Sequence, residues 1–131
     1  MMRILTIFTA MTAAVILSSC NPLTDEAKEI TGNYYLDEVS DDLPLMELNG
    51  DGTCLVRAIR PEVLTYSVEG RWNVLDDSLK ISLDPSTLKW TGDSTLIGDI
   101  PASLNKKLIR HSNISIEVES DGISYIYQRK K

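Results

Sequence analysis

Few side chains in this sequence carry reactive groups, and their spacing limits the chemistry open to them. The thiols are Cys20 and Cys54, and the single imidazole is His111. Zinc is usually held by several His and Cys side chains, which this set cannot supply. A Ser-His-Asp relay needs an imidazole between a nucleophile and an orienting carboxylate. His111 follows Arg110 and precedes Ser112 and Asn113, a surface-loop context. Gly92-Asp93-Ser94 offers a hydroxyl, yet no Asp-x-x-His accompanies it and no Gly-x-Ser-x-Gly elbow exists. Asn49-x-Asp51-x-Thr53 opens like a calcium loop, but Cys54 and Arg60 stand where that loop needs Gly and Glu. Asp41-Asp42 and Asp76-Asp77 are adjacent pairs in turns, where carboxylates are well solvated. The expectation is a chain with no catalytic residues, no metal and no cofactor. Its candidate ligand contacts are the aromatic side chains Tyr66, Trp72, Trp90 and Tyr125.

The elements that would position those aromatics read as strands. Leu64, Tyr66, Val68, Gly70, Trp72 and Val74 alternate with Thr65, Ser67, Glu69, Arg71 and Asn73. Alternation of period two sends one set to a core and the other to water. Gly70 within that run suggests a bend or bulge. Shorter strands are expected over 32–39, 45–48, 53–59, 79–83, 87–90, 94–100, 114–118 and 123–128. Asn49-Gly50-Asp51-Gly52 and Asp121-Gly122 are hairpin turns, because Asn, Asp and Gly tolerate positive φ. Residues 84–86 read as a turn, and 101–110 permit either one helical turn or a loop. The fold class is all-β: a small antiparallel meander of about eight strands, closing into a barrel that leaves no exposed edge. Large inward residues favour a filled or shallowly pocketed interior. Cys54 is expected as a buried free thiol.

The amino-terminal stretch has a different character. Arg3 precedes a short apolar run ending at Leu17, the pattern of a secretory signal peptide over 1–19. It is broken by Thr6, Thr9 and Thr12 and is too short to span a bilayer comfortably. Arg3 is its only charge, so removing 19 of 131 residues leaves 112, with 12 Lys and Arg against 19 Asp and Glu, a balance of −7. That balance argues against nucleic acid and anionic head groups as partners. Residues 20–30 are expected as a polar tether, with Thr24 able to cap one helical turn. Residues 31–131 are expected as one barrel domain, of a size to build its own core.

Leu17-Ser18-Ser19-Cys20 resembles the lipobox of bacterial lipoproteins. That resemblance implies cleavage before Cys20, a lipid on its thiol and an acylated amino terminus. Several acyl chains anchor a soluble domain stably, where one alone does not. Asn21 in place of Asp then favours the outer membrane of a Gram-negative envelope. The elements Gly32-x-Tyr34, Leu48-x-x-Asp51-Gly52-Thr53, Gly70-x-Trp72 and Leu79-x-Ile81 resemble the lipocalin-like small lipoproteins of such bacteria. The implied function is a membrane-anchored, non-catalytic binding module for a small apolar or glycan ligand or an envelope protein. The alternatives are a structural or accessory subunit of an envelope complex, or a hydrolase inhibitor. A ligand binder should hold a cavity beyond about 300 Å³. A structural subunit should show a filled interior and exposed apolar surface.

Overall fold

A computed structural model describes residues 22–130; the leader at 1–19 and Cys20 lie outside the described residues. The strands are β1 (Gly32–Tyr35), β2 (Met46–Leu48), β3 (Thr53–Arg60), β4 (Leu64–Leu75), β5 (Ser78–Gly92), β6 (Ser103–His111), β7 (Ser115–Ser120) and β8 (Ile123–Lys130). Each pairs antiparallel with the next, and β1 pairs with β8, which closes the barrel. The expected all-β meander is therefore the fold observed. Its core follows the alternation: Leu64, Val68, Trp72 and Val74 of β4 are buried, whereas Glu69 and Arg71 are not. Leu79, Ile81, Ile116 and Val118 complete the inward rows of β5 and β7.

Gly70 lies where β4 and β5 approach closely. A Cβ at Gly70 would stand 2.0 Å from the Ser82 carbonyl oxygen. Just before it, the β4–β5 register shifts between Ser67 and Glu69. The residues expected as a turn at 84–86 are the other half of that irregularity. Asp84 accepts hydrogen bonds from the Ser86 amide and hydroxyl, and Thr87 Oγ1 accepts from the Glu69 amide at 2.8 Å. Side chains thus replace the missing ladder bonds, and β5 continues to Gly92 instead of turning.

Other segments also differ from expectation. The chain leaves β1 after Tyr35 and turns through a Leu36–Ser40 bridge. Residues 94–100 are a 3-10 turn and a loop, because Asp93 accepts from the Thr95 amide at 3.0 Å and caps the turn. The undecided stretch 101–110 is mostly β6. Its alternation is masked by Lys106, which pairs with buried Leu79 and so shares the inner face with Leu104 and Leu108. Burial holds the Lys106 amine below its usual range, with Asp121 opposing.

The largest departure is at 23–30. Here the chain forms α1 (Asp25–Glu29), which belongs to the barrel. Leu23, Ala27 and Ile30 are buried in the same core as Trp72, Val74 and Leu79. Their spacing of four and three puts them on one helical face. Thr24 caps the helix through the Ala27 amide, and its hydroxyl donates to the Val74 carbonyl at 2.8 Å. Asn73 accepts from the Thr24 amide at 3.0 Å and donates to the Pro22 carbonyl at 3.2 Å. Tyr34 donates its hydroxyl to the Ile30 carbonyl at 2.8 Å, and Arg129 reaches the Thr31 carbonyl at 2.5 Å.

The helix therefore plugs one end of the barrel, beside the β2–β3, β4–β5 and β6–β7 turns. The β1–β2, β3–β4, β5–β6 and β7–β8 connections lie at the other end, the mouth. Gly70→Ala is expected to lower stability by at least about 2 kcal/mol, since the obstructing atom is backbone and cannot rotate away. Thermal or urea unfolding checks this; an unchanged melting temperature would show that the two strands have room.

Candidate functional site

The mouth is shaped by unequal strand lengths. β2 pairs with β3 only as far as Val56, and β6 pairs with β5 only as far as Ser82. β3 and β4 nevertheless stay paired through Arg60, and β4 and β5 through Gly92. The ends of these three strands thus form a flap beyond their neighbours. Ala58, Tyr66 and Trp90 sit opposite one another in register across it. At its tip Gly92 has a φ of +101°, and a Cβ there would meet the Val63 carbonyl oxygen at 2.3 Å. A side chain at Gly92 would force the two strands apart.

Across the barrel, β8 shows how far the mouth opens. Tyr127, Tyr125 and Ile123 share its inner face, and their exposure climbs from 8% through 38% to 55% toward the β7–β8 turn. The Tyr125 and Tyr127 rings are 6.4 Å apart and tilted by 39°. Burial raises the Tyr127 hydroxyl above its usual range, with Tyr125 adding to the effect. Below these rings the interior is packed. The apolar cavity at the mouth, between Val56, Tyr66, Val68, Leu83, Pro101 and Leu104, measures only about 100 Å³. Pockets that enclose a small molecule run to about 300 Å³ or more. Larger depressions of about 350 and 610 Å³ flank the plug, where Asn49, Arg129, Asp77 and His111 among others line them.

Three of the four aromatic candidates thus belong to the mouth: Tyr66 and Trp90 on the flap, and Tyr125 on β8. Trp72 stands apart. It is buried in the core beside the plug, and its indole donates to the Asn49 carbonyl at 2.9 Å. Sequence reasoning did not single out Leu43, Val63, Leu96 and Ile123. All four are exposed at the mouth, together with Trp90 at 52%. The available signal was their place in or next to connections otherwise made of polar and turn-forming residues.

Electrostatics single out the same end. The β1–β2 connection carries Asp37, Glu38, Asp41 and Asp42, and the β3–β4 turn carries Glu62. The β5–β6 loop adds Asp93 and Asp99, and the β7–β8 turn adds Asp121. No Lys, Arg or His occurs in any of these four connections. The nearby cations lie on strands: Arg60, Lys89, inward Lys106, and Arg57, which pairs with Glu47 at 2.5 Å. Strand cations offset part of this charge: Lys130 pairs with Asp37 at 2.9 Å and lies near Asp41, and Lys106 lies near Asp121.

The remaining reactive groups have local roles. Asp51 accepts from the Thr53 amide and hydroxyl, as Asp93 does from Thr95, and these bonds hold both carboxyls below their usual range. His111 Nε2 lies 3.9 Å from both Glu26 and Glu29 of the plug, beyond hydrogen-bond distance. Among the described residues, no three His, Cys, Asp or Glu side chains converge to hold a metal ion. Cys54 is a buried free thiol, and burial pushes its pKa up to about 11 against the pull of Arg71. Burial likewise raises Tyr34 to about 12.

Fold and site together define a small up-and-down β-barrel, plugged by a helix at one end and fringed with apolar and acidic side chains at the other. Comparison with protein-family models, curated proteins and solved structures finds no match for the chain.

The buried thiol leads to a pH dependence. An unfolded Cys ionises near 8.5, whereas native Cys54 keeps its proton to about 11. Between those values the unfolded state binds fewer protons, so stability falls as pH rises and levels off above the native pKa. Tyr34 extends the fall from about 10 to about 12. The melting temperature should therefore drop across this range, less steeply between 9 and 11 in Cys54→Ala. A thiol reagent at neutral pH should modify Cys54 only after denaturation; rapid modification of the folded chain would contradict the burial.

Proposed function

We propose that this protein is a lipid-anchored lipoprotein of the bacterial envelope, of lipocalin-like build, that works as a non-catalytic interaction module through its mouth. The anchor rests on the resemblance of Leu17–Cys20 to a lipobox, and the outer-membrane address on Asn21. The observation that carries the functional reading is the asymmetry of the barrel. One end is sealed by α1 and exposes Leu75 and Ile114, whereas the other displays Leu43, Val63, Trp90, Leu96, Ile123 and Tyr125 to solvent. Apolar side chains gathered at one end of a small domain mark an interaction site more often than chance.

The position of the plug gives the anchor a direction. Only Asn21 separates Cys20 from Pro22, which Asn73 holds at the plugged end. A leash this short reaches about 10 Å at most. A lipid on Cys20 would hold the plugged end at the bilayer and point the mouth away. Three residues of the expected tether, Leu23, Ala27 and Ile30, are instead core. A cavity of about 100 Å³ favours a protein met at the rim over a small molecule swallowed whole. The filled interior with exposed apolar side chains equally supports the second reading, an accessory subunit of an envelope complex.

Photo-cross-linkers placed at positions 90 and 125 in living cells test the reading, with positions 75 and 114 at the plugged end as controls. Discrete adducts are expected from the mouth positions, and Cys20→Ala should abolish both palmitate incorporation and membrane retention. Adducts of equal yield from both ends, or none from the mouth, would contradict it.

A further inference from the structure

The mouth carries more than apolar surface, and its charge narrows the partner. Eight carboxylates occupy the four mouth connections with no basic residue among them, out of 19 in the whole chain. They surround Leu43, Val63, Leu96 and Ile123, all exposed. An exposed indole and an exposed phenol, Trp90 and Tyr125, stand on opposite walls within that collar. Trp and Tyr are the side chains that most often anchor protein interfaces. Their rings also accept cations over their faces. A like-charged partner would meet repulsion from the carboxylates that lack a cation beside them, and a neutral one would gain nothing from them.

We infer that the mouth docks a cationic polypeptide segment, one that presents Lys or Arg side chains interleaved with apolar ones. The inference rests on the mouth being the working surface and adds the chemistry of what it meets. The apolar side chains of the partner cover the rings, and its cations settle among the carboxylates. The nearby cations offset the collar only in part. Arg57 is paired with Glu47, Lys130 pairs with Asp37, and Lys106 of β6 lies on the inner face near Asp121. Only Arg60 and Lys89 stand on the outer ends of the flap strands. Exposed charges of this kind act over about 8 Å at physiological salt, so they steer approach and set specificity more than final affinity.

The test uses the full chain in nonionic detergent micelles and two labelled peptides, one alternating Lys with Leu and one alternating Glu with Leu, followed by fluorescence anisotropy above an empty-micelle blank. The Lys peptide is expected to bind and the Glu peptide to fail. Asp41→Asn with Glu62→Gln and Asp99→Asn should weaken the Lys peptide about tenfold at low salt, as should added salt. Trp90→Ala, and independently Tyr125→Ala, should each weaken it about tenfold. Asp25→Asn with Asp76→Asn and Asp77→Asn removes equal charge at the plugged end and should change nothing. If both peptides bind alike and both still need Trp90, the charge inference falls while the mouth stands. If binding ignores the mouth variants, or neither peptide binds, the inference is overturned. Indifference to Trp90 and Tyr125 together with cross-linking confined to the plugged end would remove the underlying reading as well.

Discussion

The barrel depends on a helix of five residues sealing one end. A closed sheet of eight strands satisfies its own backbone, but closure alone leaves two open ends where water can reach the core. At one end Leu23, Ala27 and Ile30 exclude that water by packing on Trp72, Val74 and Leu79. The seal is fixed by polar contacts as well as by packing. Asn73 bridges Thr24 and Pro22, Thr24 bonds to Val74, and Tyr34 bonds to Ile30. Each joins residues far apart in sequence or turns a helix end into part of the wall. The buried polar groups here have partners, and no buried side-chain nitrogen or oxygen is left without one among the described residues.

The mouth is what remains once the other end is sealed. Its form follows from the irregular pairing of β4 and β5. The two strands meet at Gly70, slip in register, and then run on to Gly92 without β6 alongside. The flap therefore has partners on its inner strand and few on its flanks, and its aromatic side chains stay in solvent.

Much of this could be read from the residues, and the failures have physical causes. Period-two alternation is visible in β4, β5 and β7 because each buries one face and wets the other. Cys54 is a buried thiol as its apolar neighbours suggest. β6 was obscured by a single inward lysine, since Lys106 at a core-facing position breaks the pattern that identifies a strand. Asp84-Pro85-Ser86 has turn chemistry, which here holds β5 together across a slip. At 23–30 the turn capped by Thr24 is legible in the sequence, and its burial is not. Leu23, Ala27 and Ile30 do recur at helical spacing, but five residues of helix have no stability of their own, so only the barrel end explains them. The pairing of Tyr66 with Trp90 was out of reach, because the register past the bulge depends on how many residues the bulge absorbs.

Charge and apolarity usually occupy separate parts of a small surface. Here acidic side chains and most of the exposed apolar ones share one end, and the opposite end is held shut by α1. Amide hydrogen exchange of the folded protein, read on the peptide spanning residues 22–31, tests that arrangement most directly. Leu23, Ala27 and Ile30 of this segment are core, so its amides should be protected far beyond those of the loop at 93–102. Exchange of 22–31 at the rate of a free chain would mean that the end is open, and that neither the seal nor the direction of the mouth is as described.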